Sequence, residues 1–286
     1  MNGRPGNKTS ARVWTIDGEQ GRFRPDHLAT EEPMELRLIT GDERHTVAIT
    51  MRTPGHDFEL AAGFLHGEGI IAGRDDIARI TYCVDPEVDT EQQYNIVNVT
   101  LRSGIAPDLA PLERHFFTTS SCGVCGKASL DAIHMRTSPT IPPGPTIPAD
   151  ILYRLPDELR HAQGIFQQTG GLHAAALFDT DGTVLAVRED VGRHNALDKL
   201  IGWALLEGKL PLTRCILLVS GRTSFEILQK SVAAGIPIVA AVSAPSSLAV
   251  DTARRFGITL IGFLRGERCN VYTGRERILL PEGASE

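Results

Sequence analysis

Cys215-Ile216-Leu217-Leu218-Val219-Ser220-Gly221-Arg222-Thr223-Ser224 joins an unbroken apolar run to a turn of small and hydroxyl residues. Ile236-Pro237-Ile238-Val239-Ala240-Ala241-Val242-Ser243-Ala244-Pro245-Ser246-Ser247 repeats that arrangement. Short apolar runs closed by such turns suit strands buried on both faces. Helical spacing follows each turn, over Ser224–Ala234 and Ser247–Phe256, and Ile258–Phe263 is a third apolar run. Strand, helix, strand, helix, strand implies a sheet with parallel pairing and helices packed on it. The carboxyl-terminal half is therefore expected to be α/β.

Working outward, His173–Phe178 and Val184–Arg188 flank Asp179-Thr180-Asp181-Gly182, a hairpin signal. Glu189–Gly202 reads as a charged turn running into an amphipathic helix. Ala149–Gln167 is helical by periodicity, with Ile151, Leu152, Leu155, Leu159, Ala162 and Phe166 as its inward face. Asn270–Thr273 is the final strand candidate. Thr137–Pro145 is too rich in proline for either element, so a linker over residues 137–148 separates a carboxyl-terminal domain, 149–286, from what precedes it.

The amino-terminal half is mixed. Met34–Thr40 and Arg44–Thr50 alternate apolar with polar residues around Thr40-Gly41-Asp42-Glu43, which predicts a hairpin. Phe58–Ile71 opens as a helix, with Asp57 as N-cap and Gly67 and Gly69 as stops. Ile77–Val84 and Asn95–Leu101 are strands around an acidic segment from Asp85 to Glu91, and Ala128–Met135 is a short helix. Residues 29–136 form this α+β domain. Residues 1–28, rich in Gly, Asn, Arg and Pro, read as a loosely ordered arm.

The 286 residues are 42% hydrophobic and 22% charged, an ordinary globular balance. A formal charge of -6 gives no general attraction to nucleic acid or to an acidic membrane, so a polyanionic ligand must be met by local arginines and helix ends. Met1–Ile16 carries Arg4, Lys8 and Arg12 with no apolar run behind them, and no window reaches the length of a membrane span, which points to the cytoplasm. Five cysteines, thinly spread, are not a secreted disulfide framework.

Chemistry is expected in three places. Phe116–Lys127 contains Cys122-Gly123-Val124-Cys125, where two thiols follow hydroxyl residues and are interleaved with glycines. Two cysteines so spaced could close a disulfide, supply two zinc ligands, pass sulfur between partners, or simply fill a turn. In an α/β sheet, ligands collect at the carboxyl ends of strands, so the turns at Ser220-Gly221-Arg222 and Ser243 suit phosphate oxygens, although Ser224 and Ser246 or Ser247 also suit plain helix caps. Phe263-Leu264-Arg265-Gly266-Glu267-Arg268 offers an aromatic ring and two arginines, which fits a purine or its phosphates, or equally a solvated loop. His173, at a glycine turn, and His194, among Arg193, Asn195, Asp198 and Lys199, are candidate ligand contacts or proton donors. A zinc hydrolase reading would pair His66-Gly67-Glu68 with the two cysteines. It lacks the proline expected at Ser121, and the gap between its parts holds two strands.

Taken together, Thr53-Pro54, Gly63-Phe64-Leu65, Glu68–Ile71, Ser121–Gly126, Thr169–Ala175, Arg188–Lys199, Ser220-Gly221-Arg222 and Ser243-Ala244-Pro245 are highly specific. Over about Glu31 to Leu280 the sequence resembles the formate dehydrogenase accessory sulfurtransferases, the FdhD family. The resemblance implies a cytidine-deaminase-like three-layer carboxyl-terminal domain with a smaller α+β amino-terminal domain, assembled as a homodimer. It implies a cytoplasmic carrier that takes sulfane sulfur from a cysteine desulfurase and delivers it to the molybdenum or tungsten of the bis(molybdopterin guanine dinucleotide) cofactor, for use by a formate dehydrogenase. Cys122 and Cys125 match the family's cysteine pair, the first being the usual persulfide carrier. Phe263–Arg268 matches a region that binds the cofactor as substrate. No permanent cofactor, metal, nucleic acid or membrane is expected.

Overall fold

The computed structural model describes residues 6–107, 141 and 143–281. Cys122, Cys125 and the helix expected at Ala128–Met135 lie outside the described residues.

The carboxyl-terminal half is built on a six-stranded sheet in the order β13-β12-β11-β10-β8-β9. These strands are β8 (His173–Phe178), β9 (Val184–Asp190), β10 (Ile216–Val219), β11 (Ile238–Ala241), β12 (Thr259–Arg265) and β13 (Arg268–Thr273). β10, β11 and β12 run parallel; β8, β9 and β13 pair antiparallel with their neighbours. Side chains alternate across the strands, and both faces are apolar. Ala175, Leu177, Leu217, Val219, Val239 and Ala241 pack with three helices, Arg193–Leu206, Phe225–Ala233 and Ser247–Phe256. Ala174, Ala176, Phe178, Ile216, Leu218 and Ala240 pack on the other face against a helix at Ala149–Ala162. The half is thus a three-layer α/β sandwich, as the apolar runs required.

The amino-terminal half is a four-stranded sheet in the order β4-β3-β6-β5, from β3 (Glu32–Thr40), β4 (Glu43–Arg52), β5 (Ile77–Tyr82) and β6 (Ile96–Leu101). Only β3 and β6 are parallel. One face, with Met34, Leu36, Leu38, Val97 and Val99, packs on helix α1 (Asp57–Gly67). In chain order the remaining α-helices among the described residues are α2 (Thr90–Gln93), α3 (Ala149–Ala162), α4 (Phe166–Thr169), α5 (Arg193–Leu206), α6 (Phe225–Ala233) and α7 (Ser247–Phe256). Strands β7 (Ile147–Pro148) and β14 (Ile278–Leu279) pair in parallel.

Several expectations are corrected. The arm expected at 1–28 is ordered over most of its length, with β1 (Lys8–Asp17) and β2 (Gln20–Ala29) forming an antiparallel hairpin. Trp14 meets Phe23 edge to face across it, a cross-strand pair that composition alone hides. The helix expected to run to Gln167 ends at Ala162, so Ala162 and Phe166 are exposed and only Ile151, Leu152, Leu155 and Leu159 face the core. Asp57 is the first helical residue and not the N-cap, which is His56 in the left-handed region (φ 57°). The supposed linker contributes to the core: Ile147 is fully buried, and Ile141 donates its N–H to the Phe256 carbonyl.

The two halves meet where α1 crosses α5. Gly63 and Gly202 let the backbones touch, because a Cβ on either would fall 1.8 Å from a carbonyl oxygen of the other helix, that of Asp198 or of Glu59. Arg188 adds an ion pair to Glu59 across the same seam.

Candidate functional site

The carboxyl ends of β10 and β11 open on one edge of the six-stranded sheet, and antiparallel pairing brings other elements to the same edge. His173 begins β8 opposite Asp190, which ends β9. The Ser220 N–H bonds the Ala174 carbonyl while the Ser220 hydroxyl accepts from the Ala174 N–H (2.9 Å). One strand further, the Phe263 N–H donates to the Ser243 carbonyl, 3.1 Å away. Asp190, His173, Ser220, Ser243 and Phe263 therefore follow one another along a single rim.

The rim's centre is Gly221. A Cβ there would sit 3.3 Å from His173 Nδ1 and 3.6 Å from Arg193 Cδ, so a side chain at this position would crowd the His173 ring. The Arg193 Nε is buried and, among the described residues, has no hydrogen-bond acceptor. Burial, with the nearby Arg193 and His194 charges, holds the His173 imidazole below its ordinary pKa, so at neutral pH it is uncharged and offers one donor and one acceptor. His194 belongs to the next turn: its Nε2 lies 3.1 Å from Ser224 Oγ and 3.0 Å from the Glu226 carboxylate. That contact holds the Glu226 carboxyl below the usual range.

The two strand-to-helix turns, alike in sequence, differ in structure. At α7 the Ser246 hydroxyl accepts from the Ala249 N–H (3.2 Å), an ordinary N-cap. At α6 the N-cap Ser224 makes no such bond, because its hydroxyl faces His194. The first turn of α6 thus keeps amides that its cap does not satisfy, the arrangement that accepts an anion. The turns are themselves laced together by Thr223 N–H to Ala244 O (3.2 Å) and Ser246 N–H to Thr223 O (3.0 Å).

The Phe263–Arg268 stretch is not a loop after the last strand. It continues β12, turns at Gly266-Glu267 and returns as β13. Leu264 turns its side chain into the core, where it is fully buried. Phe263 adopts a left-handed backbone (φ 55°) at a bulge and is 41% exposed beside Ser243. Arg222, Arg265, Glu267 and Arg268 are all exposed, the last three around the hairpin end beyond the rim.

What sequence reasoning missed is the support beneath the rim. Lys199, inside a helix buried nearly all round, sends its ammonium to Asp190 Oδ2 (2.6 Å) and the Thr53 carbonyl (2.8 Å). Asp190 also accepts from Thr53 N–H (3.1 Å), Gly192 N–H (2.8 Å) and Asn195 Nδ2 (3.1 Å). Thr53 comes from the amino-terminal half. It is set in place by Arg52, which is buried against Asp57 (3.1 Å) and Asn95 (3.0 Å). The signal was available: a lysine between Leu197 and Leu200 on a helix interior demands a buried acceptor.

His66 and Glu68 do not form part of an open hydrolytic centre. The His66 Nε2 lies 3.2 Å from the Ala233 carbonyl, and burial lowers its pKa. Glu68 is 3.7 Å from Lys230, which also pairs with Asp198 at 2.8 Å. No described helix is long and apolar enough to cross a membrane.

Comparison with known proteins shows the family. The FdhD/NarQ family model matches residues 29–279. A protein of Streptomyces avermitilis named sulfur carrier protein FdhD is 55% identical, covering 92% of this chain and 93% of its own. Relatives of the same name from Mycobacterium tuberculosis and Sulfurisphaera tokodaii are 53% and 44% identical. They cover 93% and 94% of this chain and 97% and 98% of theirs. A crystal structure of a candidate formate dehydrogenase accessory protein from Desulfotalea psychrophila superposes with a TM-score of 0.72 at 26% identity, covering 95% of this chain and 99% of that one. The chain belongs to the FdhD/NarQ family.

Proposed function

We propose that this protein is a sulfur carrier. In this reading it takes sulfane sulfur from a cysteine desulfurase onto Cys122 and delivers it to the metal of the bis(molybdopterin guanine dinucleotide) cofactor, bound as substrate, before a formate dehydrogenase receives that cofactor. The observation that carries the reading is the convergence of the Ser220–Ser224 turn, Ser243, His173, Arg193 and Phe263 on one rim, in a chain whose relatives are named for sulfur carriage. Phosphates would meet the amides at the start of α6 and the Arg193 and Arg222 guanidinium groups, and Phe263 offers a face for the purine.

The loading step balances without an external oxidant. The Cys122 thiolate attacks the terminal sulfur of the donor's persulfide; a new S–S bond forms at Cys122 as the donor's breaks, and the donor cysteine leaves as thiolate. Cys125, three residues on in the same motif, would receive or release the sulfur. The test is dehydrogenase maturation with Cys122→Ala, together with calorimetric binding of GDP to the wild type and to Arg222→Ala. The reading expects no active dehydrogenase from the first variant and weakened GDP binding in the second. Active dehydrogenase matured by Cys122→Ala would overturn it.

A further inference from the structure

Glu226 stands in the first turn of α6, the pole of the helix that attracts negative charge. Its Oε2 lies 3.0 Å from His194 Nε2, and 53% of its side chain is exposed. An ionised carboxylate only accepts, so Nε2 carries a proton at that distance, and the same N–H reaches Ser224 Oγ at 3.1 Å. Arg193 adds its attraction to the carboxylate, as does Lys230, one turn further along α6. An ion pair this open to water contributes little to stability. Nor does it serve the cap, because Ser224, facing His194, leaves the amides of this turn unsatisfied.

Apart from Lys230, the groups that attract Glu226 are those a phosphate would use. His194 offers its Nε2–H, and α6 offers its first amides. Arg193 lies beside Gly221, and its Nε has no acceptor among the described residues. A second anion cannot join these donors while the carboxylate stays, because two like charges at one donor repel strongly where water shields them only in part. The carboxylate is free to leave: its side chain reaches solvent, and Lys230 remains to attract it.

Taking the rim as the phosphate site proposed above, we infer that Glu226 is a built-in competitor for it. In the free protein its carboxylate stands in for the ligand's phosphate at the His194–Ser224 turn, and an incoming diphosphate displaces it. The same penalty falls on every anion. One with few contacts is turned away, whereas a diphosphate, with further oxygens for Arg193 and Arg222, still binds.

Calorimetry with GDP and with inorganic pyrophosphate on the full-length protein tests this. Glu226→Gln should bind each probe about tenfold more tightly than wild type, by the same factor for both. Glu226→Asp keeps the charge but ends one carbon short of His194, so it should tighten binding about threefold. Both changes fall on an exposed side chain, so the fold should be kept, as circular dichroism checks. Glu226→Gln binding no tighter than wild type, or tighter for GDP alone, would overturn the inference and leave the phosphate site standing. So would Glu226→Asp binding as wild type does, since a charge acting from a distance needs no contact with His194. A wild type that binds neither probe would overturn the phosphate site itself, and this inference with it.

Discussion

Gly63 and Gly202 face each other across the crossing of α1 and α5, each positioned so that a Cβ would lie within 2.9 Å of the other's backbone nitrogen. No side chain fits in that gap, and the crossing is what fastens the amino-terminal half to the rim. Gly63→Ala and Gly202→Ala should each push the helices apart and cost about 3 kcal/mol or more. Urea denaturation measures this directly; an unchanged midpoint in either variant would show that the backbones do not touch.

Asp190 and Lys199, fully buried and 2.6 Å apart, tie β9 and α5 to Thr53. Removing one member strands the other charge in the interior, so Lys199→Met or Asp190→Asn should destabilise the protein by about 3–5 kcal/mol, and the double change by less than the sum. A double-mutant cycle in denaturant reads the coupling. Additive losses would mean that the two groups act independently.

Stability should also carry a pH dependence centred on Asp198. Burial raises its carboxyl from 3.8 to about 6, against the attraction of Lys230. Between those values the folded state holds a proton that the unfolded state has released, so this group's contribution favours the fold at low pH and is lost as pH rises through about 6. Lys230 is raised in pKa, mainly by Asp198 and Glu68 against burial, and its contribution persists until pH passes 10.5 and beyond. Glu35, Glu59 and Glu226 are lowered by Arg37, Arg188 and His194, and so act in the opposite sense, losing stability as pH falls. The difference between wild type and Asp198→Asn isolates the first effect. The stability gap should change by about 2–3 kcal/mol between pH 4 and pH 7, and a gap flat across that range would contradict the buried-acid assignment.

The two N-cap serines should separate by phenotype. Ser246→Ala removes a cap and should cost about 1 kcal/mol without altering GDP binding. Ser224→Ala cuts a contact to His194 and no cap, so it should cost less stability while weakening GDP binding. Thermal denaturation and calorimetry on the pair check both halves; equal effects on binding would mean that the turns are equivalent.

The three-layer half was legible because its strands are apolar on both faces and bounded by small-residue turns, so Ile216–Val219 and Ile238–Ala241 have no other way to be buried. The rim was legible for the same reason, since Ser220 and Ser243 follow those strands. The hairpin at Lys8–Ala29 was not, because its stability lies in the Trp14–Phe23 pair across a turn and not in any run of apolar residues. The burial of Leu264 was hidden by the bulge at Phe263, which changes the phase of alternation. That Lys199 needs a buried acceptor was legible, but its tie to Thr53, 146 residues away, was not, because spacing along a sequence carries no trace of such a contact.

The central claim is that Cys122 carries sulfur, and the mass of the peptide bearing Cys122 and Cys125 tests it most directly. The reduced protein would be incubated with a cysteine desulfurase and cysteine, and digested without reductant. The account predicts the mass of one added sulfur on that peptide, removed by reductant and absent from Cys122→Ala. A peptide of unchanged mass, from a protein whose desulfurase partner is demonstrably turning over, would contradict it.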